Sequence, residues 1–312
     1  MNSSLLNFFK SKKIPVAPTT EIYEQALTVF NRLRSSAQLP KDIAKRSEVQ
    51  FDGRTEWVEA MLDSNTVHDD DYAVFGMLPK TKAVVLDIGA NYGYSVRSLR
   101  SSGVTNPILS FEVLPDYAAA LEIVKRRFPV DYDFVMSGVG SEAGSLNFYT
   151  PVVGKAALTA LTTARAPAFT EHEAHWSAKA VESHVLSYPT PLFEDFRFAI
   201  LKTVAKVDRI DNLLKNYSGA IDVSRVAAMK IDVEGLEYDV LLGAAETIKK
   251  CMPLLMLESG NRPPRVKRLL DSWGYATVDF VNNKLKIIDG ISTQVNGFFI
   301  HPKGVIPKGF KF

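Results

Sequence analysis

The chain has 312 residues, of which 46% are hydrophobic and 23% charged, with a formal net charge of +2. That balance is wrong for a disordered chain, and so small a net charge gives no reason to expect a nucleic-acid partner. The single cysteine, Cys251, excludes an internal disulfide and a cysteine-based metal cage; it fits a reducing compartment, so a cytoplasmic location is expected. No apolar run is long enough to span a membrane.

The first residues, MNSSLLNFFKSKKIPV, carry an apolar patch followed by Lys10, Lys12 and Lys13. A secretory signal would place its charge before a longer apolar core, so a frayed, partly docked terminus is expected instead. Residues 1–77 read as a helical lead-in. Thr19-Thr20-Glu21 can cap a helix bearing Ile22, Ala26, Val29, Phe30 and Leu33, and a second helix is expected around Glu56–Leu62. Asp69-Asp70-Asp71 reads as a solvated loop that caps a helix.

A second domain is expected over residues 78–312. Ala83–Ile88 is a short apolar run ending in acid, as in a buried parallel strand. Gly89-Ala90-Asn91-Tyr92-Gly93 is a tight turn, and Tyr94–Ser102 a helix. Further strands are expected at Ile108–Glu112, Tyr132–Met136 and Ser145–Tyr149, with a helix from Pro115 to about Phe128. Residues 151–197 hold His172, His175 and His184, break the rhythm, and read as an insertion or lid. The pattern resumes with strands at Ile200–Val207, Ala227–Val233 and Pro253–Glu258, and helices at Asp208–Tyr217, Leu236–Lys250 and Pro264–Trp273. Tyr275–Phe280, Lys284–Ile288 and Gly297–His301 finish the sheet as an antiparallel edge. The alternation predicts an α/β fold with a doubly wound, mostly parallel sheet.

Strand, glycine turn and helix in this order build a nucleotide site at the carboxyl end of the strand. The three glycines of a dinucleotide fingerprint are incomplete here, and Asp87 stands before the turn. An acid at that place repels phosphate and attracts an ammonium or sulfonium group, which suits S-adenosyl-L-methionine. Glu112, at the end of the second strand, stands at the spacing of an acid that grips a ribose diol. The bland alternative is that Asp87 and Glu112 only cap loops. Ser137, in the loop after the third strand, joins Asp87, Gly89, Asn91, Gly93 and Glu112 as a cofactor candidate.

The second constellation is Lys230-Ile231-Asp232-Val233-Glu234-Gly235-Leu236-Glu237, with Glu258 ending the next strand. In a doubly wound sheet these strand ends meet in one crevice. Methyl transfer to an alcohol needs its proton removed, and Asp232, then Glu234, are the candidate bases. Helix capping is the alternative for Asp232, and for Glu237 a place facing solvent or paired with a lysine is expected. Asp232, Glu234 and Glu258 form a weak pattern for a divalent cation, so no metal is assigned. Arg262, Arg265, Lys267 and Arg268 read as a solvated helix face, or else as a clamp for an anionic substrate.

The segments DIGANYG, FEVLP, VDRID, KIDVEGLEYDVLLGA and LLMLE, in this order and spacing, make the chain resemble the FkbM family of S-adenosylmethionine-dependent methyltransferases. The likeness runs from about Val84 to His301, the insertion excepted. It implies a Rossmann-like class I methyltransferase fold and O-methylation of a sugar, glycan or related small metabolite. It also implies cofactor contacts from Asp87, Gly89, Asn91, Gly93 and Glu112, with Asp232 and Glu234 facing the reaction centre. Two departures stand out. Val113-Leu114 intervene where the family has proline directly after the acid, and the 151–197 segment is longer than usual. The rival readings are a nicotinamide-dependent oxidoreductase on a similar fold and a non-catalytic cofactor-binding module. Oligomeric state is not readable.

Overall fold

A computed structural model describes residues 44–49, 55–164, 198–258, 264–290, 292 and 294–312. The expected helix at residues 19–33, the histidines His172, His175 and His184, and Arg262 lie outside the described residues. The chain divides into two compact units, one from Met1–Gly53 and Leu146–Val204, the other from Arg54–Ser145 and Ala205–Phe312.

In chain order the described helices are α1 (Thr55–Asp63), α2 (Ala73–Gly76), α3 (Tyr94–Ser101), α4 (Ala118–Arg127), α5 (Ile210–Lys215), α6 (Glu237–Gly243), α7 (Ala245–Cys251) and α8 (Pro264–Ser272). The strands are β1 (Val84–Ile88), β2 (Ile108–Glu112), β3 (Tyr132–Met136), β4 (Gly138–Val139), β5 (Gly144–Val153), β6 (Ala156–Ala157), β7 (Phe198–Asp208), β8 (Val226–Ile231), β9 (Leu254–Glu258), β10 (Ala276–Val281), β11 (Lys284–Ile287) and β12 (Asn296–Ile300).

In the larger unit an eight-stranded sheet runs in the order β11-β10-β12-β9-β8-β1-β2-β3. From β3 through β9 the neighbours are parallel, and β12, β10 and β11 add the antiparallel edge. Helices cover both faces, because the strands are apolar on both sides. Val85, Ile108, Ala228, Met256 and Phe298 share one core with Val58, Phe75, Val96, Leu99 and Val124. Their chain neighbours Leu86, Leu109, Met229 and Leu255 face the other way, onto Ile210, Val240, Leu241, Ile248 and Leu270. Successive strand side chains alternate between faces, so a continuous apolar run serves two layers at once. The result is the doubly wound, mostly parallel sheet that the alternation predicts, in the Rossmann-like form that the resemblance implies.

Three expectations change. Ile200–Val207 does form a strand, β7, but it is not one of the eight; its end pairs with β4 (Gly138↔Val207) instead. The single helix expected over Leu236–Lys250 is two, parted at Ala244, whose φ of −108° and ψ of 10° are not helical. Pro151 does not begin an irregular stretch, since β5 continues to Val153 and turns back into β6. The smaller unit is described only in part. In it Val152–Val153 pair with Ala156–Ala157, the Ala44 N–H donates to the Ile200 carbonyl at 2.9 Å, and Ala44, Val152, Ala199 and Leu201 form an apolar cluster.

Candidate active site

The chain leaves β1 toward β2 and β3 on one side, and returns through β8 and β9 on the other. The sheet order therefore reverses between β1 and β8, and the crevice at their carboxyl ends is where an open α/β sheet binds ligands. Gly89 and Asp232 stand there, one residue past the ends of β1 and β8.

The glycine turn is shaped by positive φ at Gly89 (85°), Asn91 (52°) and Gly93 (84°). At Gly89 the demand is absolute. A Cβ there would lie 1.8 Å from the Asp232 carbonyl oxygen, so only glycine lets the two turns pack together. The Asp232 N–H also donates to the Ile88 carbonyl at 3.0 Å. Glu112 braces the turn from β2. Its Oε2 accepts the Asn91 N–H at 2.8 Å, and its Oε1 accepts those of Val113 and Leu114 at 2.7 and 2.8 Å. Burial raises the Glu112 carboxyl, and these three N–H groups offset part of that rise. Gly93 ends the turn as the N-cap of α3. Ser137 lies just beyond β3, whose last residue Met136 is level with Glu112, and its hydroxyl donates to the Gly138 carbonyl at 3.0 Å.

Asp87 departs from the expected direct role. It is fully buried, and its Oδ2 accepts hydrogen bonds from Ser95 and Ser110, both at 2.8 Å. Its Oδ1 has no hydrogen bond of its own and lies 3.5 Å from Lys230 Nζ. The carboxylate thus faces protein groups, because alternation turns it onto the same side of the sheet as Ser110 and Lys230.

Lys230 is the residue that the sequence reading passed over. It is 3% exposed, and its ammonium donates to the Gly89 carbonyl at 2.7 Å while pairing with Asp232 Oδ2 at 3.2 Å and Asp87 Oδ1 at 3.5 Å. Burial pulls the ammonium down, but Asp232 and Asp87 outweigh it and hold the group above its ordinary value. A signal was present: a lysine interrupts the apolar strand VAAMKI, two residues before Asp232 and hence on the same face.

Asp232 keeps 29% of its side chain exposed. Burial raises its carboxyl, yet Lys230 and a hydrogen bond with Glu258 hold it below the ordinary value. Glu258 is driven well above its own, first by the charge of Asp232, then by burial. A proton taken up by this pair therefore goes to Glu258 before Asp232, since each negative charge disfavours the other. Glu234, at φ 49°, is pushed up to about 8 by burial, then by Asp232 and Glu237. Glu237 does not face solvent. It is buried, and its Oε1 accepts the Gly235 N–H at 3.0 Å.

The residues before β1 complete the site. The His68 ring lies 4.6 Å from Tyr72 and bonds Ser98 Oγ at 2.7 Å through Nδ1. Burial, then Lys230 and Arg97, lower it to about 3, so it is neutral at ordinary pH. Asp69 caps its turn by accepting the Asp71 N–H at 3.2 Å, but the acid run is not merely solvated. Asn296 Nδ2 donates to Asp69 Oδ2 at 2.5 Å and to Asp71 Oδ2 at 3.2 Å, and Asn296 is paired with Glu258 across β12 and β9. No local pattern announces that His68 approaches residues more than a hundred positions later. Of the basic run on α8, Lys267 pairs with Asp271 at 2.6 Å and the Arg265 guanidinium lies 4.5 Å over the Tyr238 ring. Among the described residues no three His, Cys, Asp or Glu side chains are grouped to hold a metal, and no helix is long and apolar enough to cross a membrane.

The profile of the family described as the methyltransferase FkbM domain matches residues 87–284. Among solved structures, methyltransferase FkbM from Methylobacillus flagellatus KT is similar at 14% identity with a TM-score of 0.41, over 80% of this chain and 59% of that one. This chain therefore spans about three fifths of that protein's length. An O-methyltransferase from Bacillus cereus in complex with SAH is similar at 9% identity and a TM-score of 0.32, over 95% of this chain and 97% of the other. The O-methyltransferase TomG from Streptomyces achromogenes, in complex with SAM, is similar at 10% identity and a TM-score of 0.35, over 99% and 97%. No curated protein matches the chain. With the family profile covering more than half of its length, the chain belongs to the FkbM methyltransferase domain family.

Proposed function

We propose that the protein transfers the methyl group of S-adenosyl-L-methionine to a hydroxyl of a sugar, glycan or related small metabolite. The observation that carries this reading is the packing of Gly89 directly against Asp232, which sets a cofactor-type turn beside a partly exposed carboxylate at the switch point of the sheet. The donor set fits a cationic cofactor that lacks phosphate. Glu112, Asp232 and Glu234 are acids, and the one buried lysine beside the turn is already engaged by Gly89, Asp87 and Asp232. When bound, the cofactor supplies a methyl group already activated on a sulfonium.

The rest falls to this chain. The turn Gly89–Gly93, braced by Glu112, would hold the cofactor, with Ser137 at the margin; Asp87 acts from behind, through Lys230. Asp232 would accept the acceptor's hydroxyl proton. It is held ionised, and a weak base suffices once bond formation at oxygen makes that proton strongly acidic. Glu234, protonated below about pH 8, is suited to donate a hydrogen bond to the acceptor rather than to take its proton. The catalytic pair is thus Asp232 and Glu234 in unlike roles.

Calorimetric titration with S-adenosylmethionine, its demethylated product and NAD tests the cofactor. Binding of the first two and not of NAD is expected; silence with the methyl donor sinks the proposal. Incubation with methyl-labelled donor and hydroxylated acceptors then separates an enzyme from a binding module.

A further inference from the structure

We infer that Lys230 is a positioning residue that sets the glycine turn and the Asp232 carboxylate as one unit. The inference rests on the reading of this crevice as an S-adenosylmethionine site. The Lys230 ammonium donates to the Gly89 carbonyl at 2.7 Å and pairs with Asp232 at 3.2 Å and with Asp87 Oδ1 at 3.5 Å. With these three oxygens around an ammonium that is 3% exposed, Lys230 is placed to touch protein groups and neither cofactor nor acceptor.

An ion pair serving only the core would need no more than Asp87, the cross-strand neighbour of Lys230. The shortest contact of the ammonium goes elsewhere, to the backbone of the turn at 2.7 Å, and another goes to a carboxylate that is partly exposed. Asp87 is itself aimed. Ser95 from α3 and Ser110 from β2 fix one oxygen and leave the other toward Lys230. On the far side Asp232 is tied to Glu258 on β9. The chain of contacts therefore runs from α3 and β2 through β1 and β8 to β9, with Lys230 at its centre. Any shift of the Gly89 carbonyl moves the ammonium that orients Asp232.

The test compares the wild type with Lys230→Met and with the double variant Asp87→Asn/Lys230→Met. The double variant removes both buried charges and so avoids leaving one unpaired. Binding of S-adenosylmethionine and S-adenosylhomocysteine is measured by calorimetry from about pH 6 to about pH 8.5, the range in which a released carboxyl pair would titrate. Thermal melting confirms folding.

The wild type is expected to bind the methyl donor with an affinity that changes over this range only as Glu234 loses its proton near pH 8. The folded double variant should bind both compounds at least about tenfold more weakly, a loss of about 1.4 kcal/mol. Its affinity for the sulfonium compound alone should fall further as pH drops, because Asp232 without Lys230 takes up a proton. A folded double variant that binds like the wild type overturns the inference. So does weakening that keeps only the wild-type pH trend, which would leave Lys230 serving the turn alone. If the double variant does not fold, Lys230→Arg keeps the charge without the compact ammonium. Tenfold weaker binding supports the inference there, and wild-type affinity overturns it. A wild type that does not bind the methyl donor refutes the cofactor reading itself.

Discussion

Gly89→Ala is the sharpest probe of the crevice. An alanine at φ 85° pays about 1–2 kcal/mol for the left-handed backbone alone. Its Cβ would also sit 1.8 Å from the Asp232 carbonyl oxygen. That neighbour is backbone, not the tip of a flexible side chain, so the two turns must separate by more than an ångström. Separation breaks the Lys230–Gly89 hydrogen bond, a charged one worth about 1.5–3 kcal/mol, and strains the bond from the Asp232 N–H to Ile88. The sum is about 4 kcal/mol, which for a unit of about 200 residues lowers Tm by about 8–16 °C. Gly103→Ala is the internal control. Its φ is 89° but nothing lies within 4 Å of the added carbon, so only the backbone cost applies. Gly93→Ala falls between, since its Cβ meets a side-chain methyl of Val124 at 2.6 Å. Differential scanning calorimetry of the three variants checks the order Gly89, Gly93, Gly103. A Gly89→Ala melting point no lower than that of Gly103→Ala would refute the claim that close packing of the two turns builds this site.

Asp232→Asn should abolish methyl transfer, leave S-adenosylhomocysteine affinity nearly unchanged and weaken S-adenosylmethionine binding only by the loss of one carboxylate charge, measured by label transfer and calorimetry; collapse of binding of both compounds would move Asp232 into the cofactor shell. Glu234 has a raised carboxyl, so the folded state holds a proton there that the unfolded state has lost. Its contribution is complete below the ordinary glutamate value and disappears as pH rises through about 8, by up to about 1.4 kcal/mol per unit, and Glu234→Gln should flatten urea-derived stability over that window. His68 runs the other way. Lowered to about 3, it stabilises fully above its ordinary value and loses that contribution as pH falls from about 6.5 toward 3. His68→Gln should remove this acid-side slope, and imidazole nitrogen shifts should show a neutral ring near neutral pH. Glu112→Gln leaves one oxygen where two served three N–H groups, and should lower Tm and weaken binding of the methyl donor about tenfold or more, read by melting and calorimetry.

Much of the fold could be read because its cause is local. β1, β2 and β9 are apolar runs ending in acid, and each appears within a residue of its expected bounds. The glycines and Asn91 of the turn announced their backbone by residue type, since few others accept positive φ. The turn and Asp232 were legible as a pair for a topological reason: parallel strands separated by helices bring their carboxyl ends to one rim. The burial of Glu237 and the hydrogen bonds from Asn296 to the capping Asp69 and to Asp71 were not legible, because they depend on what packs over a short polar stretch.

What the sequence by itself determined is the alternation of strands and helices, the glycine turn, and the family whose segments it carries. Those follow from side-chain period and backbone conformation, which act over a few residues. Only the tertiary structure decided which polar groups meet. Strand register put Lys230 level with Asp87 and Asn296 level with Glu258, and α3 brought Ser95 to Asp87 and Ser98 to His68. The charges of Asp232, Glu234 and Glu258 differ for that reason alone. Asp232 stands beside the buried ammonium, whereas burial and the charge of Asp232 raise the carboxyls of Glu234 and Glu258.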